Sequence, residues 1–268
     1  MKLPNSVINL CAFALITLAN AFAPPCQRCS FYRTGHIRAI DSSTEDAPTI
    51  NTFEYLKFKG TTPDFDVVQK TKELLDMGTG PGVQAMYADD YVLRGPVIGP
   101  LTRKDLLQAQ GEFEIDSAIP DLKITRWGFT ADPTNPWRCF WFEKWTGTHT
   151  GTLKTAQGNY EPTGNYMDGV PAVFSVVWNP EGKVQYRSVG YPVERHEGNT
   201  DGKAAVFGVF HTVGLKIPGH PGSRLLRFFQ RLGHKMNPKS GRSWSREEDI
   251  PTWWTSKSRG ADLSKGEK

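Results

Sequence analysis

The change of period after Pro120 constrains the fold more than any other feature of this sequence. "LKITRWGF", "WRCFWFEKWTGTH", "PAVFSVVWN" and "KVQYRSVGY" are rich in aromatic and β-branched residues and are separated by turn signals, so they read as consecutive strands. "NPEG" at 179–182 reads as a hairpin turn between the last two. Before Pro120 the pattern is mainly helical. Thr62-Pro63-Asp64 offers a hydroxyl cap, an early proline and an acid, and Phe65, Val68, Lys72 and Leu75 then recur on one helical face. A short helix follows around Val83–Tyr87, "DDYVLRGP" reads as a brief strand, and a helix beginning at Thr102 puts Leu106, Gln110 and Phe113 on one face. Helices followed by a meander predict an α+β domain, a curved antiparallel sheet packed by N-terminal helices into a cone. Such a cone encloses a natural small-molecule pocket.

The N-terminus reads as an address rather than as fold. "MKLPNSVINLCAFALITLANAFA" has one lysine, an apolar run and small residues at 19, 21 and 23, the layout of a secretory signal peptide. As a membrane span it is short, and Asn9 and Asn20 interrupt it. Residues 24–45 carry Arg, Ser and Thr with no acid before Asp41, as transit peptides do. The join "NAFAP" resembles the Ala-Phe-Ala-Pro junction of bipartite plastid presequences in algae with red-derived plastids, with Phe22 as its aromatic residue. That resemblance implies a plastid protein of the stroma; plain secretion is the alternative. Cys26 and Cys29 fall inside the segment that would be removed, and Cys139 reads as a buried structural thiol. The expected divisions are 1–23 signal peptide, 24–45 transit-like segment, 46–61 linker, 62–213 cone domain and 214–268 basic extension.

Strand alternation supplies the candidate site. Trp137, Cys139, Trp141, Glu143, Trp145 and His149 occupy odd positions of one segment and share a face if the alternation holds. Three tryptophans, an acid and a histidine suit a flat apolar ligand; alternatively the tryptophans are core, Glu143 is a salt-bridge or rim residue and His149 fixes the strand end. "DDYVLRG" adds Asp89, Asp90, Tyr91 and Arg94, and two adjacent acids cannot both face inward. Arg187 and Tyr191 share parity on the last strand; facing inward they would bind a carboxylate or a carbonyl oxygen. His211 reads as a core histidine. The sequence carries no His/Asp/Glu cluster at metal spacing, no phosphate-binding glycine loop and no Ser-His-Asp elbow, so neither a metal nor another cofactor is expected.

"YADDYVLRGPVIGPLTRKDLL", "GTHTGTL", "EPTGNYMDGV" and "NPEGKVQYRSVG" occur in that order over about residues 62–193, and together they resemble successive blocks of the SnoaL-like polyketide cyclases, within the nuclear transport factor 2-like cone-fold superfamily. The resemblance implies ring closure by an aldol step: a carboxylate takes a proton beside a carbonyl, and polar neighbours stabilise the oxyanion. On these positions His149 is the polar partner, with Asp168 or Asp90 as the base. "VPAVFSVVWN" carries no acid, and Pro192 stands where a later acid aligns, so the residues leave a catalytic and a purely binding reading open. The superfamily hosts both.

Residues 215–268 hold twelve Lys/Arg against five Asp/Glu, although the whole chain is only +4. "GSRLLRFFQRLGHKM" puts Leu225, Phe228, Phe229 and Leu232 on one helical face, ringed by Arg224, Arg227, Arg231 and Lys235. Trp253-Trp254 is an apolar anchor further on. The partners expected are a small lipophilic molecule, a membrane or protein-complex surface met through residues 222–254, and a second copy of the chain; the tail has no nucleic-acid signature. The alternatives for function are a lipophilic-metabolite protein acting by proton transfer and a non-catalytic binding or assembly subunit.

Overall fold

The computed structural model describes residues 51–263 apart from 79–80, 112–113, 156–157, 216, 218 and 237–240. The expected presequence with Phe22, Cys26 and Cys29 lies outside the described residues, as does Phe113. Where a linker was expected, residues Asn51–Tyr55 form helix α1, and the next residue, Leu56, is fully buried. Asn135 donates to the Leu56 carbonyl at 3.0 Å and fixes this entry segment to the sheet.

Helix α2 spans Val67–Asp76 and begins four residues later than its expected start. Its cap is Asp66, whose carboxylate accepts from the Val68 and Gln69 N–H groups at 2.8 and 3.1 Å. The buried stripe is Val67, Thr71, Leu74 and Leu75 rather than the expected set. Lys72 turns outward and holds its ammonium over the Phe129 ring at 5.4 Å. Helices α3 (Pro81–Ala85), α4 (Arg103–Gly111) and α5 (Ile115–Ala118) complete the first half, and α6 (Val206–Thr212) and α7 (Arg224–Met236) belong to the second.

Seven strands make one curved, open sheet: β1 (Tyr87–Arg94), β2 (Leu101–Thr102), β3 (Lys123–Asp132), β4 (Asn135–Thr148), β7 (Tyr166–Asp168), β8 (Ala172–Trp178) and β9 (Val184–Pro192). The order is β2-β1-β9-β8-β4-β3, with β7 added to β4, and β5 (Leu153–Thr155) pairs with β6 (Gly158–Tyr160) in a separate hairpin. The sheet is not purely antiparallel as expected. β1 lies beside the last strand and runs parallel to it, because the whole meander intervenes between them and brings the chain back in the same direction. The architecture is therefore mixed α+β around a curved mixed sheet.

The two faces of this sheet are distinct. The inner face carries Trp137, Cys139, Trp141 and Glu143 from β4 and Phe174 and Val176 from β8, and α2 covers it. Trp178 donates to Thr71 of α2 at 3.0 Å, and Phe65 meets Trp137 and Trp178 edge-on. The outer face carries Arg94, Arg138, Ser175 and Tyr186. It is covered by Phe53 of α1 and by the C-terminal segment through Trp254. The basic extension thus packs on the body. Among the described residues, no helix is long and apolar enough to cross a membrane.

Candidate functional site

Glu143 is the acid of the inner face. It is 3% exposed and sits opposite Arg126 of β3 in the strand register. Its Oε1 accepts from the Trp141 indole at 2.8 Å and from Arg126 Nε at 3.1 Å, and its Oε2 accepts from the Trp145 indole at 2.9 Å. These three donors fill most of the carboxylate's roughly four lone-pair positions and hold it in one orientation. Trp141 is itself clamped between Phe129 and Phe174, in stacked contacts at 6.1 and 5.7 Å.

Next to this carboxylate lies a second polar group. Arg187 is paired with Leu93 across β1/β9 and faces inward, as the binding reading requires. Burial alone would depress its guanidinium, yet Tyr87, Tyr91 and Glu143 together hold it above its ordinary value. Tyr87 and Tyr91 stack at 4.5 Å. Burial pushes the Tyr91 hydroxyl well up, Tyr87 adds to the effect and Arg187 opposes it, so the phenol stays a neutral donor. The Tyr91 hydroxyl and Arg187 Nε are both enclosed, with no hydrogen-bond partner among the described residues. Part of Arg187 still reaches solvent.

Arg126 and Tyr87 join this candidate site and are absent from the set expected from the sequence. Arg126 had a readable signal, since a β3 antiparallel to β4 must set a residue opposite Glu143. Tyr87 was lost because the strand was read from Asp89 onward.

Other expected site residues lie elsewhere. Asp89 is fully exposed and pairs with Arg103 at 3.2 Å. Asp90 turns to the outer side, where its charge, after burial, pushes the Tyr55 hydroxyl up. Arg94 also faces outward and donates to the carbonyls of Ile98 (2.5 Å), Gly99 (3.1 Å) and Gly260 (2.7 Å) and to Ser258 Oγ (2.9 Å). Tyr191 does not share a face with Arg187, because the register slips between Val173 and Ser175 opposite it and Gly190 adopts φ +66°. That bulge inverts the parity of the last residues of β9.

His149 is fully enclosed and does not join Glu143. Six residues separate them, about 20 Å along an extended strand. Its Nδ1 accepts the Thr163 N–H at 3.2 Å and lies 3.0 Å from Thr163 Oγ1, while its backbone N–H donates to Asn165 at 3.0 Å. The "GTHTG" and "PTGN" segments therefore do meet, with the histidine as their tie. Burial lowers its basicity and keeps the ring neutral. Asp168, with its side chain 38% exposed, pairs with Lys144 at 2.8 Å. His211 is exposed rather than core, and lines a cleft of about 360 Å³ with Asn165, Tyr166, Asn199 and Thr212. A second cleft, of about 470 Å³, lies on the outer face between Phe53, Arg94, Tyr186, Tyr191, Arg195 and Trp254. Among the described residues no group of three His, Cys, Asp or Glu side chains could hold a metal ion.

No protein-family model matches the chain, and no curated protein does. Similar solved structures include a Jannaschia sp. CCS1 protein assigned as a SnoaL-like polyketide cyclase (15% identity, 46% of this chain and 83% of that one, TM-score 0.36). They also include the Δ5-3-ketosteroid isomerase of a Mycobacterium species (16% identity, 48% and 92%, TM-score 0.31). A third is the Mycobacterium tuberculosis protein RV0760c in complex with estradiol-17beta-hemisuccinate (13% identity, 48% and 92%, TM-score 0.31).

Proposed function

We propose that this protein binds a small lipophilic, carbonyl-containing metabolite on the inner face of a cone-like, SnoaL-type domain, and does so in the plastid. The observation that carries the reading is the pair of enclosed donors without partners, the Tyr91 hydroxyl and Arg187 Nε, set in an aromatic wall beside a fixed carboxylate. The Trp137, Arg227 and Trp254 N–H groups are also enclosed without partners, but the Tyr91 hydroxyl and the Arg187 guanidinium interact with each other, and a ligand oxygen that reached both would satisfy them. Trp145, only half-buried, offers aromatic surface for a flat apolar body of the ligand, while Trp141 behind it is held in the core by Phe129 and Phe174.

Binding is favoured over proton transfer because Glu143 already accepts three N–H bonds, a poor arrangement for a general base. Proton transfer is the second reading, and one observation favours it: the inner face carries an acid close to the enclosed arginine. Native mass spectrometry and thermal shift of the chain against a fractionated plastid lipid and pigment extract test the binding. A bound species that stabilises the wild type and is lost in Arg187→Gln and Tyr91→Phe is the expected result; equal binding by all three, or none, overturns it. Turnover of the identified species, abolished in Glu143→Gln, would replace the binding reading with the catalytic one. For the address, residues 1–45 fused to a fluorescent protein should enter the plastid, and Phe22→Ala should stop entry; secretion of the parent fusion overturns the plastid reading.

A further inference from the structure

Helix α7 is amphipathic, and it sits on the protein with its apolar stripe outward. What it turns toward the body is one buried leucine and a set of polar side chains. Leu226 is 5% exposed, Gln230 donates to the Val97 carbonyl at 2.7 Å and accepts the Ala261 N–H at 3.1 Å, and Arg227 pairs with Asp262. His234 accepts the Ser243 N–H at 2.8 Å and meets the Trp244 ring edge-on. These positions recur at helical spacing and define the docked side.

The opposite side carries Leu225 at 47%, Phe228 at 60% and Met236 at 45% exposure, with Phe229 and Leu232 partly open beside them. Phe228 and Phe229 are in ring contact at 5.6 Å. Along one border of this stripe run Arg224, Arg231 and Lys235, all exposed, and the helix contains no acid. Soluble proteins rarely leave so contiguous an apolar strip facing water without a partner.

We propose that α7 is a docking surface for an anionic lipid membrane, lying in the plane of the headgroups while the body holds it from behind. Charge complementarity selects this occupant. A stripe of Leu, Phe and Met edged only by cations is the composition of an interfacial helix, in which the rings and alkyl groups enter the acyl boundary and Arg and Lys reach the phosphates. The clamp behind the helix means that binding needs no folding of a free tail, so the helix meets the surface already formed.

The test is vesicle flotation with the full chain on phosphatidylcholine alone and on phosphatidylcholine mixed with phosphatidylglycerol. Two variants go with it, Leu225→Ser/Phe228→Ser and Arg224→Gln/Arg231→Gln/Lys235→Gln. The wild type should float with the anionic vesicles and far less with the neutral ones. Each variant should bind about tenfold more weakly or worse while melting as the wild type does, since all five side chains are exposed. Residues 1–50 are common to every protein compared, so binding through them leaves no difference between variants. Equal flotation of wild type and both variants overturns the proposal, as does a wild type that ignores lipid charge. A dimer that the apolar variant abolishes, without vesicle binding, gives the face to a second copy and overturns it too.

Discussion

Arg94 and Arg187 lie one register step apart on adjacent strands and point to opposite sides of the same sheet. On the outer side, Arg94 is occupied by four backbone carbonyls and Ser258, and it holds the C-terminal segment down. Its neighbour Arg138 is likewise taken, by Ser175 at 3.1 and 3.0 Å and by the rings of Phe53 and Phe140. On the inner side, Arg187 keeps its Nε without a partner, next to a tyrosine hydroxyl in the same condition. Two arginines with similar surroundings in sequence thus do different work. One completes the fold, and the other is left with hydrogen-bonding capacity that a ligand would use.

The difference can be broken experimentally. Arg94→Met should have the largest effect, about 4 kcal/mol by urea denaturation, because it removes several charge-assisted bonds at once. A variant as stable as wild type would erase the distinction between the faces. Glu143→Leu should cost about 2 kcal/mol by stranding two indole N–H groups, and Glu143→Gln about half of that, again by denaturation. Arg187→Met should abolish ligand binding and cost less stability than Arg94→Met, since Glu143 keeps Arg126 as a counter-charge. A large loss of stability there would make Arg187 a second structural arginine.

A further effect concerns pH. Burial first, then the Arg242 charge, lower His234 to about 4 from 6.5. The unfolded chain therefore binds a proton that the folded one rejects between these values. Stability should fall as pH drops from 6.5 towards 4 and level off below. In His234→Gln, denaturation across this window should give a flatter profile.

Much of the sheet was legible because period-2 patterns survive wherever one face is buried. Trp137, Cys139, Trp141 and Glu143 do share a side, and "NPEG" does turn between β8 and β9, with Asn179 and Gly182 bonded across it. The misreadings have local causes. The α2 stripe differs because the cap is Asp66, three residues beyond Pro63. Tyr191 was placed inward because a bulge cannot be seen by counting parity. For Glu143 the salt-bridge alternative holds, with Arg126 opposite at 3.1 Å, but its burial and the two indole donors from its own alternate neighbours lie beyond what parity tells. Only the folded register reveals that gathering. His149 stands out through its motif, and the fold shows that motif bonded through Nδ1 to Thr163 of the "PTGN" segment, with Nε2 enclosed and without a partner.

The outer cover has a consequence for how the chain is made. Arg94 and Gly260 are 166 residues apart, Thr102 and Ser245 are 143 apart, and Thr52 bonds to Thr255 across 203 residues. The first helix and the first two strands therefore meet these partners only after residues 245–260 have been synthesised. Until those residues emerge, the β2 edge and the backs of β1 and β9 stand uncovered. Closure joins both ends of the described chain in one late step. Contacts this remote slow folding and lengthen the time an open edge is exposed. A nascent chain stalled before residue 245 would hold its inner face nearly complete and its outer face bare, a species for a chaperone to shelter.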